Sequence, residues 1–428
     1  MDTGSEIDLD ALLGEEPASE ESSVTLQVDE KQLQIGTWPA EPLRMQEENL
    51  DGLLLWCVEK RATDISFQTD RPVVIEVDGV LYPVTHRPLD SADMVNILAR
   101  LYGPDAIAKL ASGQDLDLSY EVRPERNVRH RFRTNITAIL SRGRDAVQAT
   151  LRSLPHLPPH MRELGIEQEI MDNWAPSQGL VLVTGPTGSG KSTLLASGGR
   201  MLIERPEGCG KLVTYEAPIE YVYDAITGPR SLVSQTEIPR HLPTFAAGVR
   251  NALRRKPNII LVGEARDRAT VTAAIEAGQT GHLVYSTVHT IGVAATIRRT
   301  VSVFDPAERS ERAYALMETL RMIVTQVLVP KVGGGRIGLR EYLVFDNMVR
   351  EQLLDMPMEQ WTLETQRLLV RYGRTMEQSA NAAFKEGLID RHSYLLLTKG
   401  YSGSGGQNED AFADDSEAAL GDEDTLDI

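Results

Sequence analysis

The chain has 428 residues, 44 of them Lys or Arg and 62 Asp or Glu, and its formal charge at pH 7 is −18. A hydrophobic content of 41% over this length supports roughly two to three packed domains and excludes a fibrous or wholly unfolded chain. No apolar run approaches the roughly 18 residues of a membrane span, the start carries acids where a secretory leader needs bases, and Cys57 and Cys209 are too isolated for a cysteine-based zinc site, so a reducing, cytoplasmic setting is expected.

The charge is unevenly spread. Residues 1 to 30 hold ten carboxylates and residues 401 to 428 nine more, with no Lys or Arg in either stretch, so residues 31 to 400 have 43 acids against 44 bases. Segments this acidic and without sustained periodicity are expected to stay unstructured, which sets aside residues 1–45 and 401–428 as tails. Each contains a short apolar set, Ile7-Leu9-Leu12-Leu13 and Leu420-Leu426-Ile428; the first suits either a docking helix or a solvated tail.

Residues 46–154 read as a small α/β domain. Leu50 to Lys60 is helix-like, Asp64 to Gln68 and Val73 to Val77 have strand character, and Asp78-Gly79 signals a tight hairpin into Val80 to Tyr82. A helix pattern covers Ala92 to Tyr102, and strands are expected around Phe132 to Leu140 and Ala146 to Leu151. From Arg123 to Arg152 there are eight arginines against two acids. Such a run suits contact with phosphates or a solvated face, but Phe132 alone is placed for base stacking, which disfavours single-stranded nucleic acid. The Pro-rich PHLPPH at 155–160 opens a linker, 155–175, whose prolines prevent the helix that would align His156 and His160 as metal ligands.

From 176 to 400 the pattern is strand, loop, helix, repeated. GLVLVT (179–184), KLVTY (211–215), NIILV (258–262) and HLVYST (282–287) are continuous apolar runs, as strands of a parallel sheet covered on both faces must be. The first leads into Gly185-Pro186-Thr187-Gly188-Ser189-Gly190-Lys191-Ser192-Thr193, a complete G-x-x-x-x-G-K-[ST] phosphate loop opening a helix. Its glycines let backbone N–H groups turn toward the phosphates of ATP, Lys191 brings a cation to them, and the Ser192 hydroxyl suits Mg2+. Gly198-Gly199 falls inside the following helix at a cost of about 2 kcal/mol relative to alanine, so that helix is expected to lean on packing. IILVGE (259–264) is an apolar strand that ends in Glu264, an acid suited to hold the metal or its water beside a phosphate loop. A second basic cluster, Arg250, Arg254, Arg255 and Lys256, suits either a subunit interface or solvent.

On these motifs the chain resembles the PilT-like secretion ATPase superfamily, and within it the DotB and TraJ branch of type IVB (Dot/Icm) secretion and conjugative plasmid transfer. The resemblance rests on the phosphate loop, YEAPIE at 215–220, the stretch 233–267, TGHLVYSTVHT at 280–290, RFRTN at 131–135 and LREYLVFD at 339–346, and runs from about residue 47 to 400. It implies an α/β fold, with a RecA-like P-loop ATPase core (176–400) and a smaller PAS-like N-terminal domain. It also implies a cytoplasmic homohexamer that hydrolyses ATP with Mg2+ to drive type IV secretion, conjugation or the dynamics of an associated pilus, recruited to the inner membrane by partner proteins. Glu220 would orient the attacking water, His282 and His289 would form a box sensing the γ-phosphate, and Arg133, Arg144 and Arg152 would reach nucleotide of the same or a neighbouring subunit. Ala217 departs from the Asp of the PilT branch, and no four-cysteine insertion of the extension ATPases is present. A DNA-stimulated translocase and a low-turnover nucleotide-gated scaffold are the competing functions.

Overall fold

The structure, a computed structural model, describes residues 35–126, 128–155 and 157–399. Most of the expected N-terminal tail, the whole C-terminal tail with both apolar sets, and His156 lie outside the described residues. The chain divides into two compact units, Met1–Asp115 with Ile136–Leu151, and Leu116–Asn135 with Arg152–Ile428.

In the first unit, β1 (Asp64–Gln68), β2 (Val74–Val77) and β3 (Val80–Pro83) form an antiparallel meander. The hairpin between β2 and β3 has positive φ at Asp78 (53°) and Gly79 (81°), the backbone that an Asp-Gly step accepts at low cost. The helices Glu47–Glu59 and Ser91–Leu101 bury Leu50, Leu53, Leu54, Ile97 and Leu98. Residues 35–45, expected to be tail, are packed here instead. Trp38 and Met45 are buried, with the Trp38 N–H donating to Val84 O (2.8 Å) and the Met45 N–H to the Asp93 carboxylate (2.8 Å).

Three long strands follow, β4 (Leu116–Glu125), β5 (Val128–Ser141) and β6 (Arg144–Leu154). The second unit takes in β4 and the first part of β5, and is built on β7 (Gly179–Thr184), β8 (Gly210–Glu216), β9 (Ser231–Glu237), β10 (Ile259–Val262), β11 (Leu283–Val288), β12 (Leu320–Pro330) and β13 (Arg336–Val344). These seven form one sheet in the order β13-β12-β7-β11-β10-β8-β9, all parallel except β13, which runs antiparallel to β12.

Alternate residues of the apolar runs point to opposite faces, and both faces are covered. Leu180, Leu182, Val213, Ile260 and Val284 enter one core; Val181, Val183, Leu212, Ile259 and Leu283 enter the other. Each fully buried side chain of this kind stabilises the fold by roughly 1.5–3 kcal/mol, which is why no polar residue interrupts β10 or β7 before its last position. β9 differs for a physical reason. It is an edge strand with one neighbour, its sequence SLVSQTE is mostly polar, and Leu232 stays exposed.

The paired glycines after the phosphate loop are explained by close packing. In the helix Lys191–Ile203, a Cβ on Gly198 would lie 2.2 Å from the Trp174 ring, and one on Gly199 would lie 2.6 Å from the Tyr223 hydroxyl. Trp174 is fully buried and stacks on Tyr285 at 5.2 Å between centroids. The aromatic side chains occupy the space a larger residue would need. Gly198→Ala is expected to lower stability by about 1–3 kcal/mol in chemical denaturation despite its better helix propensity. Combining it with Trp174→Leu should recover part of that loss; strictly additive losses would show that the ring is not the constraint.

Candidate nucleotide site

The parallel register brings the ends of four strands level. Thr184 at the end of β7 lies opposite Val288 of β11, and Val262 of β10 lies opposite both Ser286 of β11 and Tyr215 of β8. The segments that leave these ends therefore gather at the carboxyl edge of the sheet, where open α/β sheets bind ligands.

The loop 185–190 leaves β7 there and enters the helix Lys191–Ile203. Gly185 and Gly190 have φ of 142° and 80°, and both are wedged against Gln326 of β12: a Cβ would fall 2.2 Å from its carbonyl oxygen at Gly185 and 2.9 Å from its side-chain nitrogen at Gly190. Lys191 is buried, and its Nζ donates to the carbonyls of Gly185 (2.9 Å) and Pro186 (2.8 Å). Burial pushes its pKa down, while the carboxylates of Glu264 and Glu220 pull it back up. The two acids thus converge electrostatically on the loop lysine. Ser192 is exposed, and Thr193 Oγ1 lies 3.0 Å from the Tyr221 hydroxyl.

Glu264 is fixed by its neighbours in sequence. The Gly263 N–H donates to Tyr215 O (2.7 Å) and the Ala265 N–H to Thr287 O (2.9 Å), which ties the turn after β10 to β8 and β11. His289 Nε2 lies 3.8 Å from the Glu264 carboxylate. Glu220 is held from β5. Arg131 donates to the carbonyls of Ile219 (2.6 Å) and Glu220 (2.9 Å), and Arg133 sits 3.9 Å from the Glu220 carboxylate and 3.6 Å from Asp117. Period-two alternation puts Arg129 on the same side of β5, where it pairs with Asp224 (2.6 Å). Beneath this segment Glu237, also buried, accepts from the Ser119 hydroxyl (2.8 Å) and the Ile219 N–H (3.3 Å).

Of the residues expected from sequence, the phosphate loop, Glu220, Glu264, His289 and Arg133 are brought together at this edge. His282 is not. It precedes β11 at the opposite end of the strand, roughly 20 Å from His289 along the extended chain, and its Nδ1 lies 3.1 Å from Ala277 O. Arg152 is exposed on β6, and Arg144 is exposed in the first unit at the turn between β5 and β6. The residues not singled out by sequence are Arg131, Tyr221, Gln326 and Arg340. Alternation along RFRTN carried a signal for Arg131, whereas a glutamine inside the apolar β12 was visible only as an oddity. Among the described residues no group of three or more His, Cys, Asp or Glu could cage a metal. One hydroxyl and one or two carboxylates beside a phosphate loop do fit Mg2+, which keeps waters and nucleotide oxygens as ligands.

Glu216, at the end of β8, titrates unusually. Burial pushes its carboxyl up to about 7 from an ordinary value of 4.5, against hydrogen bonds from the Thr214 hydroxyl (2.5 Å) and the Gln235 amide (3.2 Å). Between those values the folded state binds more protons than the unfolded one, so this group makes stability fall as pH rises, with its full penalty above about pH 7. Glu216→Gln is expected to be more stable than the wild type at about pH 8, by up to about 3 kcal/mol, with the difference closing toward about pH 5. Denaturation midpoints across that range read it, and parallel pH profiles would exclude it.

Residues 43–336 match the family described as Type II/IV secretion system protein. The chain is 35% identical over 303 residues to the type IV pilus retractation ATPase PilT of Pseudomonas aeruginosa, an alignment covering 70% of this chain and 84% of that one. Its fold is similar to the X-ray structure of the ATPase DotB of Legionella pneumophila, with a TM-score of 0.80 at 46% identity over 85% of this chain and 98% of that one. The crystal structure of the pilus retraction motor PilT with bound ADP gives a TM-score of 0.71 at 32% identity over 82% of this chain and 96% of that one. A phosphate loop at the carboxyl edge of a RecA-like sheet, two acids converging on its lysine and these likenesses agree: the chain belongs to the Type II/IV secretion system protein family, as one of its PilT-like ATPases.

Proposed function

We propose that this motor ATPase works as a homohexamer that couples Mg2+-dependent ATP hydrolysis to type IVB secretion or conjugative plasmid transfer. The catalytic part of this reading is carried by the placing of Glu220, next to Tyr221 whose hydroxyl lies 3.0 Å from Thr193 of the loop, and of Glu264, in the turn tied to β8 and β11, at the edge that holds the buried Lys191. The 46% identity to DotB over nearly the whole of that chain supports the type IVB branch. Among the described residues no helix is long and apolar enough to cross a membrane, so attachment to the inner membrane from the cytoplasmic side is assigned to partner proteins.

In this scheme Lys191 exchanges the carbonyls of Gly185 and Pro186 for phosphate oxygens. Ser192 and Glu264 hold Mg2+, which neutralises charge on the phosphates when bound. Glu220 aligns the attacking water and takes its proton as the bond from the γ-phosphorus to the bridging oxygen breaks. Arg131 fixes that carboxylate through its backbone, and Arg133 adds positive charge beside it. His289, next to Glu264, senses whether the γ-phosphate is present. Arg144 and Arg152 contact nucleotide of the same or a neighbouring subunit. Turnover is delivered to the machinery as a conformational step.

The arginine run speaks against DNA as the main ligand, because Arg129, Arg131 and Arg133 are already engaged with Asp224, two carbonyls, Glu220 and Asp117. Glu220→Gln is expected to cut phosphate release at least about 100-fold while nucleotide affinity changes little. A wild type as slow as the variant would leave the scaffold reading, stimulation by DNA would favour the translocase, and sedimentation of the nucleotide-bound protein as anything but a hexamer would remove the ring.

A further inference from the structure

β12 carries a glutamine, and β13 an arginine, where packing alone calls for apolar residues. Gln326 and Arg340 are directly opposite in the antiparallel ladder, and both are buried, at 4% and 2% exposure. The Gln326 amide nitrogen donates to Ser189 O of the phosphate loop (2.7 Å), and its oxygen accepts from Arg340 Nε (2.8 Å). The orientation of the amide is not arbitrary: a carbonyl can only accept and a guanidinium can only donate, so each end of Gln326 has one possible partner. The rest of the Arg340 guanidinium is spent on the carbonyls of Leu164 (3.1 Å) and Gly165 (3.0 Å) and on the Glu167 carboxylate (3.2 Å), all in the segment that precedes β7.

A buried cation of this kind is seldom the most stable choice, since well-packed apolar residues usually serve as well or better. Burial indeed presses its pKa down, against the pull of Glu167. What the arrangement supplies is direction. The cation polarises the amide and strengthens its N–H donor toward the loop. The Ser189 hydroxyl is buried without a partner, so the carbonyl is the group of that residue through which the loop is held. Gly185 and Gly190, pressed against the backbone and side chain of the same glutamine, bracket the hold from both sides.

We propose that Gln326 is a positioning residue for nucleotide binding, keeping the loop amides aimed at the phosphates, and that Arg340 acts through it, tying the loop to the segment 164–167. The inference rests on ATP being bound by the loop. Gln326→Glu is the sharpest test, because it is isosteric and keeps a partner for Arg340 but sets a carboxylate oxygen against the Ser189 carbonyl. In the full-length protein the dissociation constant for a fluorescent ADP and the KM for ATP are expected to rise about five- to tenfold, with kcat changed much less. Gln326→Met, which needs no ion pair to fold, should weaken affinity in the same direction. Arg340→Met should weaken nucleotide binding when Gln326 is present and add little in the Gln326→Met background. Unchanged affinity in both Gln326 variants would overturn the proposal, and equal losses from Arg340→Met in both backgrounds would make Arg340 a brace for the 164–167 segment only. A wild type that binds no nucleotide would instead sink the premise, and is read in the same titration.

Discussion

Four strands of the second sheet stay in step because their ladder starts in step: Leu212, Ile259, Leu283 and Gly179 are consecutive cross-strand neighbours in β8, β10, β11 and β7. A slip of one residue in any of these strands would turn its apolar residues to the wrong face and carry its terminal loop away from the others. Burial on both faces makes such a slip expensive, so the hydrophobic cores, far from any phosphate, decide where Lys191, Glu216, Glu264 and His289 stand. The chemistry at the edge inherits its precision from the packing in the middle.

Within that frame the electrostatics is a balance between burial and pairing. Lys191, Arg131 and Arg340 all lose solvation and all have depressed pKa values from burial, and each is kept charged by carboxylates nearby and by carbonyls that accept its protons. Glu216 is the contrasting case, an acid whose two hydrogen bonds do not offset burial. Of the three cations only Lys191 belongs to the loop; Arg131 holds the segment of Glu220 and Arg340 the glutamine behind the loop.

The legible part of this protein was the part written locally. The phosphate loop is nine consecutive residues, and the buried strands announce themselves because nothing polar is tolerated in them. The hairpin at Asp78-Gly79 and the strain of Gly198-Gly199 were also readable, although the ring that demands the glycines was not. Arg131, Gln326 and Arg340 escaped because their meaning lies in pairings across long stretches of chain: Gln326 and Ser189 are 137 residues apart. His282 shows another limit of a local reading. Two histidines close in sequence read as a pair, yet a strand between them is a rigid spacer that sends them to opposite ends of the sheet. The burial of Trp38 and Met45 is not legible either, because the prolines and single apolar residues of 35–45 set up no helical or strand period.

The position of Lys191 bears on what the loop gains from an anion. Its ammonium group already has two good acceptors inside its own loop, the carbonyls of Gly185 and Pro186. Buried as it is, the lysine is therefore not a bare charge in a dry place. The carbonyls of the loop and any bound anion draw on the same three N–H groups. A lysine with two acceptors of its own gains less from an added anion than a bare ammonium would, because each new hydrogen bond replaces one already made.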